Sequence, residues 1–110
     1  MTTDQPDLLA KPLKIADLVE YQSGSVVSRV ILKQKTGNVS LFAFDVSQEL
    51  SEHSAPFDAL VNILEGESEI TISGKPFRAA TGQMIILPAN QPHALKAITR
   101  FKMLLTMIRS

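Results

Sequence analysis

The chain has 110 residues, 45% of them hydrophobic, and its 11 lysines and arginines balance 11 aspartates and glutamates. That length and composition fit one compact domain with a modest core and exclude wholesale disorder. Zero net charge without a basic run leaves no electrostatic handle for nucleic acid or an anionic membrane, and the absence of cysteine excludes a disulfide framework, a thiol nucleophile and a thiolate metal site.

Residues 1–11 read as a flexible N-terminal arm, because they carry little to bury, and residues 12–110 as a single domain. The start, Met1 to Asp7, is polar and acidic, unlike a signal peptide, and no apolar run approaches the ~20 residues that cross a bilayer. The expectation is a cytoplasmic protein with neither a nucleic-acid nor a membrane partner. After Pro12, Ile15, Leu18 and Val19 stand at helical spacing, which predicts a short helix or turn capping one end of the fold.

From Val26 onward the chain is short strands punctuated by glycine or proline. Val26 to Lys33 alternates, Lys35 to Asn38 is the turn, and Val39 to Val46 follows with Phe42, Phe44 and Val46 on one face and Val39, Leu41 and Ala43 on the other. Ser47 to Pro56 is a polar loop holding His53. Leu60 to Ser73 reads as a β-hairpin, two Val/Ile/Thr-rich runs flanking Glu65-Gly66-Glu67. Phe77 to Ala80 and Gln83 to Leu87 follow. Beyond the Pro88–Pro92 corner, His93 to Ile98 and Phe101 to Ile108 complete the set. Regularly spaced short strands predict an all-β sandwich or barrel. The last strand is apolar on both faces, with Leu104 and Ile108 opposite Phe101, Met103, Leu105 and Met107. Such a strand is covered on both sides. A partner subunit, hence a homodimer, is the preferred cover; the N-terminal segment is the alternative.

His53 and His93 are the only histidines, and both lie at strand mouths. Imidazole is a common ligand of divalent transition metals. The bland reading is two loop histidines bonded to backbone or water. Glu67 and Glu69 belong to a solvated face rather than a catalytic carboxylate pair. No nucleophile elbow or phosphate-binding glycine loop is present.

Gly82 to His93, with a glycine before a strand, a proline corner and a histidine, resembles the second motif of the cupin superfamily. Ser47 to Gly66 resembles the first motif, glycine–His-x-His–Glu–glycine. The resemblance spans roughly residues 38 to 108. It implies a cupin-like double-stranded β-barrel (jelly roll), here with a short N-terminal helix or arm, and a pocket at one end.

The motif match places His53 and His93 at two of the four usual metal-ligand positions. Ala55 stands where the second histidine belongs and Ala59 where spacing puts the glutamate; Ser47 and Asn90 replace glycines. A candidate Zn, Ni, Mn or Fe site would therefore consist of His53 and His93, with Asp58 as a weak third ligand. In a regular strand Asp58 faces opposite Ala59, so a bulge would be needed to turn it inward. Gln48, Glu49 and Glu52 are weaker still.

Two functional expectations follow. The preferred one is a barrel that binds a small organic ligand, its pocket lined by His53, His93, Val61, Ile63, Met84, Ile86 and Leu95, with a degenerate or absent metal site. The alternative is a metal-dependent cupin enzyme of dioxygenase, isomerase or decarboxylase type, in which His93 is the candidate catalytic base.

Overall fold

The computed structural model describes residues 8–109. Nine antiparallel strands follow a short N-terminal 3-10 turn at Ile15–Leu18: β1 Val26–Gln34, β2 Gly37–Phe44, β3 Glu49–His53, β4 Ala59–Glu65, β5 Glu67–Ile72, β6 Lys75–Ala80, β7 Met84–Leu87, β8 His93–Ala97 and β9 Phe101–Ile108. They form a five-stranded sheet in the order β1-β2-β9-β4-β7 and a four-stranded sheet in the order β3-β8-β5-β6. The inner faces of the two sheets share one apolar core. Phe44 and Phe101 stack in it with centroids 4.4 Å apart, beside Val61, Ile70 and Met103. The strand pattern called for an all-β sandwich or barrel, and this is the jelly-roll barrel that the motif resemblance implied. The arm predicted over residues 1–11 lies mostly outside the described residues.

One predicted hairpin is two strands of different sheets. β4 pairs with β7 and β9, whereas β5 pairs with β6 and β8. Gly66 is therefore a corner. Its φ is +84°, and a Cβ there would run into the Arg100 carbonyl and the Phe101 backbone. Only glycine fits so close an approach in that conformation. The true hairpin is the next one, β5–β6, where Ser73 and Gly74 both take positive φ (49° and 81°) between the paired residues Ile72 and Lys75. Two consecutive left-handed residues are the turn whose twist suits a two-residue hairpin.

The polar loop expected over Ser47 to Pro56 contains a further strand, β3. It pairs only with β8 and so forms a sheet edge, with half-buried Leu50 as its one apolar contact with the core. An edge strand with a single inward apolar residue leaves no alternating signal in the sequence.

The N-terminal segment covers a face rather than capping an end. Val19 packs with Leu41 and Ala43 on the outside of the five-stranded sheet, and Leu18, Tyr21 and Leu104 pack against this cluster. Lys102 Nζ donates to the Ala16 carbonyl at 2.6 Å, and Arg29 donates to the Leu18 carbonyl at 2.9 Å. Tyr21 donates to Glu65 at 2.8 Å. Burial and the Glu65 carboxylate both push the Tyr21 hydroxyl's pKa up. The outer face of β9 thus receives its cover at Leu104 from the chain itself.

The other half of that outer face is bare among the described residues. Register places Leu32, Val39, Thr106, Leu60 and Ile86 side by side across all five strands. Ile86 is 50% exposed, and Ile108 at the end of β9 is 69% exposed.

Candidate functional site

β3 and β8 bring the two histidines together. His53 and His93 are direct register partners, but between Leu50 and His53 the pairing slips by one residue against Leu95 and His93. Strand alternation alone would put Leu50 and His53 on opposite faces. The extra residue in β3 is a bulge that turns both toward the interior. Leu50, His53, His93 and Leu95 accordingly line one cavity.

The rings meet edge to face, with centroids 4.4 Å apart and planes at 74°. Their Nε2 atoms are 3.2 Å apart. His53 Nδ1 lies 2.8 Å from the Ser51 carbonyl, which only accepts, so this nitrogen carries a proton. Neutral His53 then offers a lone pair at Nε2, and His93 Nε2–H donates to it. That leaves His93 Nδ1 as a lone pair, buried and without a hydrogen-bond partner in the protein. His53 is exposed at the rim, while His93 behind it is only 5% exposed. Burial pushes the His93 pKa below its ordinary 6.5, and charge on His53 pushes the same way; the Gln91 backbone opposes both. His93 is therefore neutral at pH 7.

The cavity is about 60 Å³. Apart from the two imidazoles its wall is apolar: Ala55, Phe57 and Ala59 on one side, Leu87 beside them, and Met103, Leu105 and Met107 from β9. Met103, Leu105 and Met107 share one face of a strand, which sequence shows; that this face also forms the floor of the cavity depends on the placement of β9 at the sheet centre. Phe57 sits in a loop and carries no periodic signal.

The expected lining is partly corrected. Leu95 lines the cavity, while Val61 and Ile63 are buried in the core beyond it. Met84 and Ile86 point outward, 53% and 50% exposed. Their neighbours Ile85 and Leu87 face the core, opposite Val61 and Ala59 on β4. Four consecutive apolar residues have no alternation, so the sequence does not reveal which two point in.

Asp58 does not join the histidines. Its Oδ1 accepts the Ala89 N–H at 2.8 Å, while Ala59 faces the cavity. Asp58 precedes β4, whose pairing begins at Ala59. Two nitrogen atoms 3.2 Å apart have a spacing that one ion can bridge, but Ala55 and Ala59 supply only methyl groups to the wall. Among the described residues no group of three His, Asp or Glu side chains could hold an ion. A catalytic divalent site with three protein ligands does not fit this donor set.

Comparison with known proteins bears directly on the fold. A cupin domain model matches residues 40–108. A conserved protein of unknown function from Streptococcus pyogenes is 39% identical, with a TM-score of 0.88 over 92% of this chain and 89% of that one. A cupin superfamily protein from Desulfitobacterium hafniense is 30% identical, with a TM-score of 0.87 over 91% and 92% of the two chains. A Cupin 2 conserved barrel domain protein from Leptotrichia buccalis is 39% identical over 86% of this chain but only 46% of its own length, with a TM-score of 0.83. No curated protein matches. No helix among the described residues is long and apolar enough to cross a membrane. The strand order, the two motifs and the family match agree: this chain belongs to the cupin family.

Proposed function

We propose that this cupin is a binding module for a small organic molecule, held in the barrel mouth between His53 and His93. One observation carries the reading: two hydrogen-bonded imidazoles are the polar residues in the wall of an otherwise apolar cavity. Apolar walls with a few convergent polar groups are the usual composition of a small-molecule site. A 60 Å³ space exceeds the ~10–15 Å³ that holds a single water molecule, so the enclosed part of the site admits a small ligand group. The lack of cysteine suits work in a reducing cytoplasm.

The alternative, a metal-dependent enzyme of dioxygenase, isomerase or decarboxylase type, needs protein ligands beyond His53 and His93, and Asp58 is engaged elsewhere. Elemental analysis of the purified protein and of His53→Ala and His93→Ala separates the two. Near-stoichiometric transition metal that both substitutions abolish overturns the binding-module reading. Metal-free protein whose thermal shift with small ligands disappears in both variants supports it.

Two copies pair through the bare half of the five-stranded sheet. What supports the pairing is the row from Leu32 to Ile86 with Met84 and Ile108 around it, exposed by 39 to 69% at its four largest contributors. Their apolar area is on the order of 400 Å², comparable to the largest apolar patch of a typical soluble protein, which is often functional. Zero net charge puts no long-range repulsion between copies.

A further inference from the structure

The inner faces of the two sheets carry fixed charge of one sign only, and this narrows the ligand class, resting on the binding-module reading above. The strand carboxylates all lie outside. Glu49 and Glu52 of β3 and Glu69 of β5 line a groove formed without His53 or His93, and Glu67 of β5 meets Arg78 of β6 at 3.5 Å. Glu65 of β4 accepts from Tyr21 on the outside of the five-stranded sheet. Directly paired residues on neighbouring strands share a face. Lys33 pairs with Asn38, which pairs with Met107 of the cavity wall. Lys75 pairs with Ile72, which pairs with His93. Each lysine therefore faces inward two strands from the cavity, about 10 Å away. Arg109, just past β9, is the third inward cation. Among the described residues none of the three has a carboxylate within 4.0 Å.

Arg109 is tied to the cavity by contact. Met103, Leu105 and Met107 point into it from β9, and Arg109 is the next residue of that alternation. Its backbone N–H donates to the Thr36 carbonyl at 2.6 Å, one step beyond the Gly37–Ile108 pair, so strand pairing continues through it. Its guanidinium lies 5.2 Å from the centroid of Phe57, a residue of the cavity wall. Stacking on a ring occupies the flat face of a guanidinium and leaves its edge of N–H donors free. Asp58, next to Phe57 in sequence, does not fill that edge, since its Oδ1 accepts from Ala89. A planar row of charged donors without an acceptor matches the oxygens of a carboxylate or a phosphate. A cation meets only repulsion from the three inward charges.

We infer that the barrel mouth takes an organic oxyanion, a carboxylate or a phosphate monoester, with its small apolar end in the 60 Å³ cavity and its charged end on Arg109 above Phe57. Two residues of strand, from Met107 to Arg109, span about 7 Å, so a chain of a few carbons reaches both ends and acetate does not. Lys33 and Lys75 stand farther off and draw the anion toward the mouth through a field that salt screens.

The test titrates pentanoate and butyl phosphate into the intact protein, with pentanamide and pentylammonium as the neutral and cationic comparisons. The methyl resonances of Met103 and Met107 report on the cavity by NMR. Saturable shifts of both methyls are expected, with one or both oxyanions binding about tenfold more tightly than pentanamide and the ammonium more weakly still. Whichever oxyanion binds more tightly identifies the charged end. Arg109→Gln, at an exposed position, is expected to erase the preference for anion over amide while circular dichroism stays unchanged, and Arg109→Lys to restore part of it. A preference that survives Arg109→Gln overturns the inference. So does an oxyanion that leaves both methyl resonances unmoved, because it then pairs only with surface charge. Pentanamide or pentylammonium binding in the cavity as tightly as the anions overturns it too, yet leaves the binding-module reading standing. If none of the four compounds moves either methyl, both fall together.

Discussion

Leu50 and His53 stand three residues apart on one strand and still face the same cavity, because the β3 bulge absorbs the odd residue. Removing that residue restores simple alternation. Deleting Ser51 is expected to send His53 out of the mouth, to lose its bond to His93, and to return the His93 titration toward the ordinary imidazole range, read by NMR against pH. An unchanged pair of titration curves would show that the bulge does not place His53. The cost in stability is on the order of 1 kcal/mol, since β3 is an edge strand with few buried contacts.

Acidification should destabilise the fold beginning near pH 6.5. His93 binds a proton less readily in the folded protein than in the unfolded chain. Its contribution is fully present above pH 6.5 and is lost as the pH falls toward the lower folded value. A second loss begins near pH 3.8, because Asp45 is held down to about 2 by the Gly24 N–H, the Arg100 guanidinium and the Val46 N–H. Melting temperatures at pH 8, 6.5 and 5 check the first step. His93→Gln is expected to flatten the profile over that range, and a flat wild-type profile contradicts the assignment.

The two glycines with positive φ at Gly66 and Gly74 should respond differently to alanine. Both substitutions carry the left-handed penalty of about 1–2 kcal/mol. At Gly74 nothing lies within 4 Å of the added Cβ, whereas at Gly66 it meets the Arg100 and Phe101 backbone. Gly74→Ala is expected to cost about 1 kcal/mol and Gly66→Ala about 3 kcal/mol or more, measured by urea unfolding. Equal costs would mean that the β4–β5 corner is not so tight.

Ile86→Glu puts a charge into the bare row across the five-stranded sheet and leaves the core untouched, since Ile86 is half exposed. Sedimentation equilibrium is expected to give a dimer for the native protein and a monomer for the variant. A native monomer, or a dimer indifferent to the change, rejects this face as the contact between copies.

Strand existence was largely legible from sequence, because β1 and β5 alternate, β2 and β9 are short apolar runs, and glycine or proline marks many of the strand ends. The meeting of His53 with His93 followed only from the family resemblance, since nothing local links them. Three features were hidden for identifiable reasons. β3 is polar, with only Leu50 to bury. Met84 to Leu87 is uniformly apolar and so conceals its phase. Gly66 looks like a hairpin turn because both a turn and a corner between sheets demand positive φ; they differ in what lies nearby, and the Arg100 carbonyl is distant in the chain. The choice of cover for β9 turned on the same kind of long-range contact, between Lys102 and Ala16.

The position of β9 has a consequence for how the molecule assembles. As the central member of the order β1-β2-β9-β4-β7, it is the only bridge between the β1–β2 ribbon and the β4–β7 ribbon. Until Phe101–Ile108 docks, those ribbons are separate, each with a raw edge and half of the aromatic pair Phe44–Phe101 missing. Closure of this sheet joins partners far apart along the chain, the kind of contact that slows folding. Shortening this last strand should abolish the native state outright rather than fray its end.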